Sequence, residues 1–301
     1  MSDSLDDLLD LLDLEQIEVN LFRGRSPDET RQRVFGGQVA AQALVAAART
    51  MSSEGTASEG TASEGAASND RPVHSLHAYF IHPGDTTVPL IYSVEQVRDG
   101  RSFTTRRVSA IQHGRTIFIL SASFQRFEQS VSHAAAMPPV PLPSEVRPST
   151  ERLAELLGEP LPAEIRDYPI ELRHVGPLSI EVQRDPALRT SSNYVWLRAK
   201  RPLPDDPLLH VCLMTYASDL TLLDTVLRRH GLIWGDGRTT GASLDHAMWF
   251  HRPFRADRWL LFAQETPSAG GGRGLAMGHV FTEEGELVVS AVQEGLIRTS
   301  D

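Results

Sequence analysis

The sequence predicts an α+β protein of two tandem modules, each an antiparallel sheet wrapped around a long helix. Three observations carry this. An alanine-rich helical run precedes a meander of alternating strands in the first half. Helix, glycine-rich connection and strands return in the same order in the second half. A proline-rich stretch that cannot continue a sheet separates the two.

The elements follow in order. Leu5, Leu8, Leu9, Leu12 and Ile17 fall near helical spacing, with Asp6, Asp7, Asp10 and Asp13 between them. This predicts a short acidic amphipathic helix packed on the body of the protein. Gly36-Gly37-Gln38 opens a run of strong helix formers over residues 39–49. Its side chains are very small, so the helix can lie close to other backbone, as the inside of a curled sheet requires. Residues 53–68 repeat Thr-Ala-Ser-Glu-Gly almost unchanged and predict a disordered polar loop. Strands are predicted over 74–82, 90–98, 103–113 and 116–126, with turns at Pro83-Gly84-Asp85, Asp99-Gly100 and His113-Gly114.

Met137-Pro-Pro-Val-Pro-Leu-Pro143 marks a linker, and residues 149–158 a short helix. In the second half Tyr216-Ala-Ser-Asp219 precedes a helical segment over 220–230 and a glycine-rich stretch over 231–241. Strands follow over 243–250, 259–266, 274–282 and 287–298. A faint echo links Ser75-Leu-His-Ala-Tyr-Phe-Ile-His-Pro83 with Ser243-Leu-Asp-His-Ala-Met-Trp-Phe-His-Arg-Pro253. Gly100-Arg101 and Gly272-Arg273 each introduce a strand. The predicted organisation is an N-terminal module over 1–130, a linker over 131–165 and a C-terminal module over 166–301.

Bulk properties narrow the function. The 301 residues suffice for two cores, and 41% apolar with 23% charged residues is a soluble globular composition. No apolar run approaches the roughly 20 residues that cross a bilayer. Residues 1–18 are acidic without a base, opposite to a secretory or transit peptide. The end, Arg298-Thr299-Ser300-Asp301, is not a peroxisomal Ser-Lys-Leu address. The single Cys212 excludes an internal disulfide and a cysteine metal cluster, so a reducing cytoplasm is the expected home. A net charge of −10 argues against nucleic acid as a partner. It leaves room for a few local arginines to hold one anionic ligand.

Several segments occur together: Gly36-Gly37-Gln38-Val39-Ala40-Ala41-Gln42-Ala43, Gly100-Arg-Ser-Phe-Thr-Thr-Arg106, Tyr216-Ala-Ser-Asp219, Ser243-Leu-Asp-His246 and Val292-Gln293-Glu294-Gly295. In this order and spacing the sequence resembles the type II acyl-CoA thioesterase family over nearly its whole length. The resemblance implies a double hotdog fold and hydrolysis of fatty acyl-CoA to free acid and CoA, without a cofactor. It also implies a catalytic trio of Asp219, Ser243 and Gln293, with serine where the family often has threonine.

The chemistry suits those residue types. Thioester hydrolysis needs a water held beside the carbonyl carbon and made more nucleophilic. A carboxylate can accept its proton while a hydroxyl and an amide fix its position. A backbone N–H at the start of the central helix, at Gly37, can stabilise the oxyanion. Arg101 and Arg273, at the starts of equivalent strands, can bind CoA phosphates, or they can be solvated surface arginines. Asp219 could also be an N-cap for the helix predicted after it, and the two roles can coexist. His246 and His251 lie five apart, on opposite faces of a strand, which argues against a shared metal and for structural hydrogen bonding. Asp245 points away from His246. No Gly-x-Ser-x-Gly elbow is present, and Gly270-Gly-Gly-Arg-Gly274 is not followed by Lys-Ser or Lys-Thr. The alternatives are a hotdog enoyl-CoA or hydroxyacyl-thioester hydratase and a non-catalytic acyl-CoA-binding or regulatory protein. Exposed sheet edges predict at least a dimer, and a dimer or tetramer is expected.

Overall fold

The computed structural model describes residues 4–27, 33–51 and 71–300. The repeat predicted to form a loop over 53–68 lies outside the described residues. The chain forms two compact units, Asp10–Val131 and Ser132–Asp301 together with Met1–Leu9.

Helix α1 (Ser4–Leu12) buries Leu5, Leu8 and Leu12 and leaves Asp6, Asp7 and Asp10 outside. It is shorter than its apolar spacing suggests, because Ile17 falls on strand β1 (Glu15–Glu18), where it is exposed. Strand β2 (Leu21–Gly24) follows, then helix α2 (Gly36–Arg49), which is buried from Gly37 through Ala48. Strands β3 (Val73–Phe80), β4 (Leu90–Asp99), β5 (Phe103–Gln112) and β6 (Arg115–Gln125) complete an antiparallel sheet in the order β1-β2-β4-β5-β6-β3. Alanines let α2 sit close to the sheet, and two glutamines in it are tied down. Gln42 Nε2 donates to the carbonyls of Leu11 (2.6 Å) and Arg25 (3.0 Å), and its Oε1 accepts from the Tyr92 hydroxyl at 2.6 Å. Beyond the helix end, the buried Arg106 donates to Thr50 Oγ1 at 3.0 Å and pairs with Asp99 at 2.8 Å.

The second unit repeats this plan. Helices α3 (Ser149–Leu157) and α4 (Ala163–Arg166), strand β7 (Ile170–Val175), helix α5 (Ser179–Arg184) and strand β8 (Ser192–Ala199) come first. Then come helices α6 (Pro207–Ser218) and α7 (Asp224–His230) and strands β9 (Thr239–Ser243), β10 (Asp245–Phe250), β11 (Leu260–Gly270), β12 (Arg273–Thr282) and β13 (Leu287–Thr299). The sheet order is β10-β13-β12-β11-β8-β7, antiparallel throughout, with β9 also on β13. This is the order of the first sheet, β3-β6-β5-β4-β2-β1, with α6 in the place of α2. The echo between residues 75–83 and 243–253 therefore lies on strands of equal rank.

Three expectations change. The main helix of the second half is α6, which lies before Asp219, and the helix after it starts only at Asp224. Asp219 is consequently the C-cap of α6 and not an N-cap. Segment 207–218 is apolar all round, so it shows no amphipathic period to read. Its usable signal was the start, where Asp206 caps Leu208 N–H at 2.9 Å and Pro207 takes the first turn. The strand predicted over 243–250 is broken between β9 and β10. At the break Leu244 N–H still donates to Glu294 O (2.9 Å), and the Asp245 carboxylate accepts the Glu294 N–H (2.7 Å). A side chain thus replaces a missing ladder partner.

The proline-rich segment is fastened as well. Trp196 Nε1–H donates to Pro141 O at 2.9 Å, and Met137, Val140 and Val146 pack on a core of Trp196, Leu261, Phe281 and Leu287. Among the described residues no helix is long and apolar enough to cross a membrane.

Candidate active site

Three separate elements of the second unit bring Asp219, Ser243 and Gln293 together. Asp219 ends α6, Ser243 ends β9 at the strand break, and Gln293 lies inside β13, fully buried. Gln293 Nε2 donates to Asp219 Oδ1 at 2.5 Å and to Ser243 Oγ at 3.0 Å. The Ser243 hydroxyl donates to the same Asp219 oxygen at 3.3 Å. Both amide hydrogens of Gln293 are therefore committed. Its Oε1 is buried and has no protein partner, so it remains an acceptor.

The turn that carries Asp219 is held from beneath by a buried network with no counterpart among the sequence expectations. Gln264 on β11 donates to Thr221 Oγ1 at 2.6 Å. It accepts from Thr225 Oγ1 at 2.8 Å and from Asn193 Nδ2 at 3.0 Å. Gln264 lies 39 to 71 residues from each of its three partners in sequence. Two glycines add a close approach. A Cβ on Gly295 would lie 2.6 Å from Leu223 Cδ1, and one on Gly274, its register partner, 2.4 Å from Val226 Cγ1. The glycine of Val-Gln-Glu-Gly thus admits the start of α7 onto the sheet.

The neighbouring titratable groups are set by burial. His246 is pushed down to about 4 by desolvation, and its Nε2 lies 2.8 Å from Ser218 Oγ. Asp245 is raised, chiefly by desolvation, although its bond from Glu294 N–H opposes this. His251 Nε2 lies 2.8 Å from Ser290 Oγ, so both histidines have structural partners. Among the described residues no group of three or more His, Cys, Asp or Glu is arranged to hold a metal.

The remaining candidates sit on other elements. Gly37 is in the first turn of α2, in the first unit. Arg101 is exposed in the turn before β5, where its carbonyl accepts from Arg71 Nη2 at 3.3 Å. Arg273 opens β12 and pairs with Glu294 at 3.1 Å.

Comparison with known proteins gives the class first. A structure described as a conserved protein with hot dog fold from Alicyclobacillus acidocaldarius, 19% identical, covers 98% of this chain and 99% of its own with a TM-score of 0.74, which shows the fold. The protein is a double hotdog protein. The family is equally direct. The acyl-CoA thioesterase model matches residues 181–296, and the acyl-CoA thioesterase N-terminal domain model residues 25–125. Acyl-CoA thioesterase 2 of Haemophilus influenzae is 38% identical over all of both chains. The crystal structure of acyl-CoA thioesterase II TesB2 from Mycobacterium marinum is 42% identical, covers 98% of this chain and 99% of that one, and superposes with a TM-score of 0.76. The chain belongs to the type II acyl-CoA thioesterase family.

Proposed function

We propose that Asp219, Ser243 and Gln293 hold and activate the water with which this acyl-CoA thioester hydrolase cleaves its substrate to acid and CoA. The observation that carries this is the convergence of a carboxylate, a hydroxyl and an amide within 2.5–3.3 Å, beside a buried amide oxygen without a protein partner. Gln293 Oε1 accepts one hydrogen of the water and Asp219 takes the other as general base. Ser243 and Gln293 Nε2 fix the carboxylate that receives it. The water oxygen bonds to the carbonyl carbon and the C–S bond breaks. The proton on Asp219 passes to the departing thiolate, so the products are the acid and the CoA thiol.

Thiolate is a good leaving group, and the scheme needs no strong acid. The oxyanion donor is a backbone N–H at a helix start, for which Gly37 is the candidate. Arg101 and Arg273 are the candidates for the CoA phosphates. Arg101 is the freer to serve, because Arg273 must first give up Glu294. Self-association is part of the same reading and rests on Tyr79, Ile81 and Val97, all exposed apolar side chains of the first unit. A reducing compartment suits the buried free Cys212.

Thiol release from palmitoyl-CoA tests the mechanism. Asp219→Asn should lower kcat by about 100-fold or more, the scale of a lost general base. Full activity in that variant would remove the trio. A CoA-linked hydroxy product would indicate hydration, and binding without release an acyl-CoA sensor.

A further inference from the structure

We propose that His246 is a positioning residue for the hydrolysis: its buried hydrogen bond to Ser218 ties β10, the strand that follows Ser243 across the break, to the helix end carrying Asp219. This rests on the trio described under Proposed function and adds a fourth residue that touches neither substrate nor water.

The direction of the bond follows from what surrounds it. Ser218 Oγ lies 2.9 Å from the carbonyl oxygen of Thr215, which can only accept. The other acceptor in reach, Met248 Sδ at 3.5 Å, is weak, so we assign the single hydroxyl proton of Ser218 to the carbonyl, and Ser218 then accepts from His246. The donor is His246 Nε2–H at 2.8 Å. The imidazole is thereby fixed in its Nε2–H form, with Nδ1 as a bare acceptor. Both residues are shut off from solvent, Ser218 at 0% and His246 at 1% exposure. Bulk solvent does not reach the bond, and breaking it would strand the buried imidazole N–H.

The location gives the bond its use. Ser218 is the last residue of α6 and the immediate neighbour of Asp219. His246 follows Ser243 by three residues, across the break between β9 and β10. Within the trio the contact between Ser243 and Asp219 is the longest, at 3.3 Å. A second, shorter bond thus reaches the same helix end from β10, three residues further along the chain. The ladder holds Ser243 and Ala247 on β13 but does not reach the helix end, and a directional side-chain bond does. An apolar pair would fill the same space without fixing the separation. His246 also keeps a buried Nδ1 with no protein partner. Core packing alone offers no reason to retain such an atom.

Four single variants and one double variant test this, with Asp219→Asn as the control for the trio. A Gln at 246 sets its amide N–H near the place of Nε2, whereas an Asn reaches only toward that of Nδ1. Turnover and KM are read by thiol release, and folding by circular dichroism and Tm. His246→Asn and His246→Leu should lower kcat about 10- to 100-fold, with KM within about twofold of the parent, as expected for a small misplacement of reacting groups. His246→Gln should recover most of that loss. Ser218→Ala should fall as far as His246→Leu, and the double variant no further. The proposal is overturned if folded His246→Asn and His246→Leu keep kcat within about twofold of the parent. It is also overturned if kcat follows Tm alone, with His246→Gln no better than His246→Leu. If the leucine variant does not fold, Ser218→Ala, which removes one oxygen, decides: parental kcat sinks the proposal. Activity retained by Asp219→Asn would instead sink the trio and leave the clamp a structural bond.

Discussion

At the start of α7, Asp224 has a carboxyl that burial pushes up from 3.8 to about 6, against the opposing pull of the Trp234 hydrogen bond and the Arg228 charge. The folded protein thus keeps this proton over a range where the unfolded chain has released it. The stability contributed by Asp224 is full below 3.8 and is lost as pH rises through about 6. Asp224→Asn should remove that part of the pH dependence. Urea midpoints of the parent and the variant, compared from pH 4 to 7, should converge toward acid and separate toward neutral, with the variant the more stable. Parallel curves would show that Asp224 titrates normally. Sequence made Asp219, Ser243 and Gln293 legible because each sits in a compact motif that resembles a family. It left Gln264, Thr221, Thr225 and Asn193 unread, because separations of 39 to 71 residues leave no local trace of their contact.

Strands with one buried face were the most legible elements. β5 and β6 alternate, and their predicted limits lie within a residue or so of the observed ones. β1, β2, β7 and β8 were not anticipated. The first two have four residues each, too few for alternation to register. β8 is buried on both sides around Val195, Trp196 and Leu197, and so loses its period. α6 was missed for the corresponding reason in a helix. The contact of α7 with the sheet is tight enough to test. Gly295→Ala would drive a methyl into Leu223, four residues beyond Asp219, with an expected loss of about 1–3 kcal/mol by overpacking. Chemical denaturation measures the loss, and thiol release should fall with it because the turn carrying the carboxylate must shift. An unaltered midpoint would mean that Leu223 gives way freely.

Across the molecule, the two units share a strand order but differ in the side chains at the end of the central helix. The central helix of the second ends in Asp219, held by an amide and a hydroxyl. That of the first ends in Thr50, to which a buried arginine donates, itself paired with Asp99. The duplication was visible in the order of helix and strands, whereas this divergence depends on which side chain occupies the helix end. The proposed trio accordingly has its place in the second unit alone among the described residues. The exposed Tyr79, Ile81 and Val97 give the chain a further expectation at this scale. Light scattering after size exclusion should report a dimer or tetramer, and a monomer at micromolar concentration would refute it.

The indole of Trp196 bears on how the chain can be shortened. Proline-rich stretches invite the cloner to cut, and residues 137–143 look like the natural seam. Yet the Pro141 carbonyl receives the Trp196 N–H, and Met137 and Val140 roof the side chains around it. A truncation beginning after Pro143 would uncover a tryptophan and orphan its donor. A start at Ser132, where the main stretch of that compact unit begins, keeps the roof on, although it gives up Met1–Leu9 of the same unit.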